Sequence, residues 1–188
     1  MSASEKIYLG VLIAVALERL IELVISKRNA AYIKARGGQE WGAGHYPVMV
    51  VLHTALLPVC FLEAHFMNRP WDPTLAYAMG GLIVATMLLR YWAISSLGHH
   101  WNTRVIVLPG ADVVRKGPYR FIRHPNYLAV ILELAAIPLF HSAYWSAIGF
   151  GLANLVLLRH RIRVEERALA SVCEGASELE KKSRFIPR

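Results

Sequence analysis

The sequence predicts an all-α integral membrane protein with about five transmembrane helices, the last two forming a hairpin, and three observations predict it. Hydrophobic residues make up 55% of the 188-residue chain, more than a soluble globule of this length usually carries. They fall in long runs near the ~20 residues that cross a bilayer. Between those runs the basic residues are unevenly shared: residues 27 to 45 hold four Lys and Arg, 98 to 126 hold five and 159 to 188 hold eight, whereas 1 to 6 and 67 to 73 hold one each. By the positive-inside rule the N-terminus lies outside and the C-terminus and both long basic loops in the cytoplasm, which five crossings satisfy. The net charge of +8 thus belongs to the membrane surface, and no nucleic acid is expected as a partner.

Residues 5 to 26 form the first crossing, read as a retained helix because Glu18, Arg19 and Glu22 interrupt it and no small-residue cleavage site follows. Glu18 and Glu22 stand one turn apart on one face, with Arg19 within reach of Glu22. Ionisable groups at this depth are expensive unless paired or facing a cavity, so they are candidate site residues; a structural ion pair is the alternative. Lys27 to His45 reads as a basic, Gly-bearing loop. Residues 46 to 67 cross again, kinked at Pro58, and Asn68 to Pro73 make a short outer turn. Residues 74 to 97 return, with Arg90 placed to snorkel or to pair with an acid of the first helix. Leu97 to Arg123 is a connector with short β-branched pieces. His99 and His100 within it point apart and have no third ligand at metal-site spacing, so no metal is expected. Residues 127 to 141 and 144 to 160 form a tight hairpin reversing near Pro138 and His141-Ser142, with Glu133 facing protein. Cys60 and Cys173 lie in different surroundings and predict neither disulfide nor zinc.

The stretch Gly117 to Tyr127, GPYRFIRHPNY, sits where the chemistry is expected. Gly117-Pro118 breaks any preceding helix, and Pro125 pushes His124 toward an extended conformation and can begin the next helix. Arg120, Arg123 and His124 are then held just outside a membrane helix, able to meet an anionic or zwitterionic ligand. The same residues also serve as a plain topology signal.

Gly117-Pro118-Tyr119, Arg123 to Tyr127 and the later Arg161-Ile162-Arg163-Val164-Glu165-Glu166 together resemble the isoprenylcysteine carboxyl methyltransferase family, whose signature is Gly-x-Tyr, Arg-His-Pro-x-Tyr, a helical hairpin and Arg-Ile-x-x-Glu-Glu. The ending Arg184-Phe185-Ile186-Pro187 is similar too, although Glu178 to Lys182 stand where members often carry a Tyr-x-x-Tyr pair. The resemblance implies a single membrane methyltransferase domain over 1–188, with 1–97 giving the substrate wall and 98–188 a cytoplasmic core that binds S-adenosylmethionine. It implies cofactor contacts from Gly117, Tyr119, His124, Pro125, Asn126, Tyr127 and Glu166, and catalytic roles for Arg123, Arg161 and Glu165. Glu18, Arg19, Glu22, Arg28, Asn29, Glu40, His45, Tyr46 and His53 look like one bacterial subgroup, similar to enzymes that O-methylate long-chain alkylpyrones or alkylresorcinols, and are expected to bind the substrate.

No Gly-x-Gly strand-turn-helix pattern supports a Rossmann fold, so a nucleoside cofactor must be held by other means. Arg and His complement the carboxylate of S-adenosylmethionine, Glu its ammonium or ribose, and Tyr can stack or hydrogen-bond. The expected activity is O-methylation of a lipophilic or prenylated acceptor at a bacterial inner membrane. A membrane NADPH-dependent sterol-type reductase, similar through Arg-His-Pro-Asn-Tyr, and a noncatalytic membrane interaction protein are the alternatives.

Overall fold

A computed structural model describes residues 1–186, so Pro187 of the expected terminal motif lies outside the described residues. Six α-helices dominate: α1 Ala3–Lys34, α2 Tyr46–Phe66, α3 Pro73–Leu97, α4 Pro125–Leu139, α5 Tyr144–Val172 and the short α6 Ala176–Glu180. Local signals set their ends. Ser2 and Glu5 form a reciprocal capping box on α1, Asp72 accepts from the Thr74 and Leu75 amides ahead of α3, and Pro125 opens α4. Ser142, at φ 55°, makes the reversal of the expected hairpin.

Two departures from the expected layout matter for the site. The helix α1 continues through Lys34 instead of ending in a loop, because Ser26, Asn29 and Ile33 recur at helical spacing and are buried. The fold is also not wholly helical: β1, Gln39–Trp41, pairs antiparallel with β2, Val105–Val107, in register Glu40↔Ile106. This small sheet ties the segment after α1 to the connector.

The burial pattern is that of a membrane bundle. Ile13, Leu17, Leu20 and Ile21 of α1, Val84 and Leu88 of α3, and Leu152 and Val156 of α5 face outward, while Glu18, Glu22, Arg90 and Glu133 are buried. Water as the surrounding solvent would favour the reverse arrangement. Two helical stretches among the described residues, Ala43–Phe66 and Pro73–His100, are long and apolar enough to cross a bilayer. An apolar core joins Tyr8, Leu12 and Val15 of α1 to Leu56 and Cys60 of α2, Ile83 of α3 and Leu134 and Ile137 of α4. At the far end from the connector, Glu63 of α2 accepts from the Trp145 and Ser146 amides at 3.1 and 2.7 Å, capping α5 across the bundle.

Candidate active site

At the connector end, GPYRFIRHPNY is held against α3 and α5. Gly117 is required there: its φ is +57°, and a Cβ would fall 2.0 Å from the Ser96 hydroxyl of α3. After the turn at Gly117–Arg120, His124 caps α4 with φ −127°, outside the helical region, as the following proline demands. The C-terminal segment straps the motif in place. The amides of Arg123 and His124 donate to the carbonyls of Ser183 and Arg184 at 3.0 and 3.1 Å, and Phe185 packs on Tyr127, Leu158 and Ile162.

The two halves of the sequence motif meet side chain to side chain. Arg123 Nη1 and His124 Nε2 donate to one oxygen of Glu166 at 3.0 and 3.1 Å, and Arg184 donates to both oxygens at 3.0 and 2.7 Å. Burial alone would raise the Glu166 pKa, but hydrogen bonds from His124 and Arg184 and their charges outweigh it and hold the carboxyl at about 2. Beside this cluster Arg161 Nε donates to the Tyr127 hydroxyl at 2.9 Å, and that hydroxyl donates to Glu165. Arg161 and Tyr127 are both buried.

Two hollows adjoin these residues. The smaller, about 70 Å³, is lined by Leu97 and the connector residues 100–102 and 104–106 together with Tyr119, His124, Asn126, Tyr127 and Glu165. The larger, about 340 Å³, runs among α1, α2, α3, α4 and α5. Its walls are mainly apolar, with polar groups from Arg19, Glu22, Tyr46, His53, Arg90, Glu133 and Arg161. Trp101, Asn102, Asn126 and Tyr127 line both. At that boundary Asn126 Oδ1 and Trp101 Nε1 are buried with no hydrogen-bond partner among the described residues.

Deeper in the larger cavity lies an ion network. Arg19 reaches Glu18, Glu22 and Glu133 at 3.1, 2.8 and 2.8 Å. Arg90 is bidentate on Glu22, its Nη2 at 2.6 Å. Of the two alternatives for Arg90, snorkelling or pairing with an acid of the first helix, the structure shows the pair.

Of the nine residues expected along a substrate wall, the structure brings Arg19, Glu22, Tyr46 and His53 to the cavity, with Glu18 behind them in the network. The others are engaged elsewhere. Arg28 is exposed; Asn29 donates to the Gly98 and Trp101 carbonyls at 3.2 and 2.8 Å, fastening the connector to α1. Glu40 pairs with Lys34 and Arg104, each at 2.7 Å, and His45 packs edge-on against His160. Gly117, Pro125 and Glu166 shape or brace the smaller hollow without lining it, as does Arg123. Sequence reasoning did not single out Asn102, Thr103, Met49 and Asn154 on the cavity wall, because single polar or sulfur-bearing residues in apolar helices or a connector carry no spacing signal.

The model of the isoprenylcysteine carboxyl methyltransferase (ICMT) family matches residues 78–171, which span α3 to the end of α5 and contain both halves of the motif. The chain belongs to this family. An uncharacterized protein of Bacillus subtilis (strain 168), YpbQ, is 38% identical over 153 residues, covering 81% of this chain and 90% of its own length. An uncharacterized protein of Haemophilus influenzae (strain ATCC 51907 / DSM 11121 / KW20 / Rd) is 29% identical over 153 residues, covering 81% and 88%. ICMT membership carries a membrane setting and points to methyl transfer from S-adenosylmethionine. It also accounts for the exposed aliphatic surface.

Proposed function

We propose that this ICMT-family protein is an S-adenosylmethionine-dependent O-methyltransferase acting on a lipophilic acceptor. The observation that carries the reading is that the two hollows meet at Asn126 and Tyr127, beside Arg161. The smaller hollow takes the donor and the larger takes the acceptor. S-adenosylmethionine, when bound, supplies an electrophilic methyl group on a sulfonium for in-line displacement.

The chain's own residues do the rest. His124 is fixed by Glu166 and faces the donor hollow with Tyr119, while the unpartnered Asn126 Oδ1 and Trp101 Nε1 offer an acceptor and a donor at the boundary. Arg161, buried and hydrogen-bonded to Tyr127, stabilises negative charge on the acceptor oxygen, and Glu165 fixes Tyr127 in turn. Apolar walls exclude water from the transfer. At about 340 Å³ the acceptor cavity lies within the range of ~300–1,000 Å³ typical of ligand sites, whereas about 70 Å³ lies far below it. Donor loading therefore displaces part of its wall.

The acceptor is a long-chain lipid, either a prenylcysteine or a polyketide with a pyrone or resorcinol head. Residues 1–97 contribute Arg19, Glu22, Tyr46, His53 and Arg90 to its polar wall, and 98–188 the donor core together with Glu133 and Arg161, in one domain of five crossings with the N-terminus outside and the C-terminus cytoplasmic. The test is calorimetric titration of the detergent-purified protein with S-adenosylhomocysteine and with NADPH. Saturable binding of the first alone is expected; binding of NADPH alone would replace this reading with the reductase.

A further inference from the structure

His53 sits on α2 facing the acceptor cavity, and its ring is fixed by the chain itself. Nδ1 lies 2.8 Å from the carbonyl of Met49, one turn earlier. A carbonyl only accepts, so Nδ1 carries the hydrogen, and in the neutral ring Nε2 is left as a hydrogen-bond acceptor. Met49 also places the ring near the chemistry, since Arg161 Nη1 lies 3.4 Å from the Met49 sulfur and one helical turn rises only ~5.4 Å.

The cations deeper in the cavity are already matched. Arg19 is shared among three carboxylates and Arg90 is bidentate on Glu22, so three carboxylates there face two guanidinium groups. A carboxylate head at that depth would meet Glu22 and Glu133 beside two guanidinium groups already engaged, which leaves Arg161, at the boundary with the smaller hollow, as the cation without a carboxylate partner among the described residues. A hydroxyl head would find an acceptor in His53, and buried Glu133 Oε1 and Arg90 Nη1 also have no hydrogen-bond partner among the described residues.

Resting on the methyltransferase reading, we propose that His53 is a specificity-determining residue whose Nε2 accepts a hydrogen bond from the acceptor's hydroxyl, selecting a hydroxyl-bearing lipid over one that offers only a carboxylate. A site built to receive a hydroxyl discriminates against ligands without one, because its own polar atom is then buried unpaired.

The experiment measures binding, not turnover. Wild-type protein in nanodiscs with S-adenosylhomocysteine is titrated with pentadecylphenol, with the methyl ether of that phenol, and with palmitate. The phenol is expected to bind about tenfold more tightly than either of the others, the scale of one hydrogen bond in a buried site. In His53→Phe this advantage should vanish while affinity for the ether is unchanged, and His53→Gln, whose amide oxygen can still accept, should restore part of it. If His53→Phe leaves the phenol's advantage intact, or weakens phenol and ether alike, the role is overturned while the methyltransferase reading stands. If the wild type binds none of the three, the cavity is not the acceptor site and both assignments fall.

Discussion

The charge cluster at the foot of α4 and α5 and the network between α1, α3 and α4 use the same side chains in different surroundings. In the first, Glu166 and Arg184 keep 23% and 47% of their side-chain surface exposed. In the second, Glu22 and Arg90 keep 4% and 7%. Water screens the first and lets its members exchange partners. The second sits in an apolar cavity wall, where each charge needs its partner to be tolerated at all. The first cluster can therefore be altered at little cost to the fold, whereas the second is tied to stability.

The largest expected effect breaks the deep network. Arg90→Met leaves Glu22 only with Arg19 and should destabilise the protein by about 3–5 kcal/mol, the scale for removing one partner of a buried pair. Thermal unfolding in detergent would read it as a large drop in melting temperature. Replacing Glu22 by Leu as well should recover much of the loss, because the uncompensated charge is then gone. A single-variant loss below about 1 kcal/mol would mean that the network behaves like a solvated surface pair, and the contrast with the first cluster would collapse.

A smaller effect is expected from Glu166. Its folded pKa of about 2 lies below the ordinary 4.5, so its contribution to stability is fully present above about pH 4.5 and is lost as pH falls toward 2. Wild-type melting temperature should fall across that window, and Glu166→Gln should flatten part of the fall. The same variant should weaken S-adenosylhomocysteine about tenfold at neutral pH, because an uncharged amide braces His124 and Arg123 less strongly, while the protein remains folded. An unchanged titration would remove the Arg-His-Pro and Glu-Glu pairing from the donor site.

The two regions were not equally legible in the sequence. The first is spelled out by residue identity: Pro125 after His124 fixes where α4 begins, and Arg-His-Pro with Glu-Glu can be matched as separated strings. The second shows only as charges in apolar runs: spacing puts Arg19 within reach of Glu22 and offers Arg90 an acid of the first helix, but gives no partner for Glu133. Which polar side chains reach the cavity depends on helix rotation and on where the chain turns. Tyr46 and His53 face it, whereas Asn29 turns to the connector because α1 runs on to Lys34. The sheet was invisible for a different reason. Strands of three residues carry too few alternations to show a period, and Gln39–Trp41 becomes a strand only because Val105–Val107 lies beside it.

Glu40 gives the smallest expected effect and marks where the proposed substrate wall ends. On sequence grounds it stands with His45 and Tyr46; in the fold it lies on β1, and hydrogen bonds from Lys34 and Arg104 hold its carboxyl below the usual range. Both partners are half exposed, so the pairs are screened, and Glu40→Gln should cost no more than about 1 kcal/mol in thermal unfolding. Arg104 also stacks over Tyr46, with its guanidinium carbon 4.5 Å from the ring centroid, and Tyr46 borders the cavity. If Glu40 acts only through the sheet, acceptor affinity in Glu40→Gln should match wild type, while Tyr46→Phe should weaken a hydroxyl-bearing lipid by a few-fold through loss of its hydroxyl. If Glu40→Gln instead weakened the lipid as much as Tyr46→Phe, the wall would extend past the cavity rim to the strand, and the boundary drawn at Tyr46 would move.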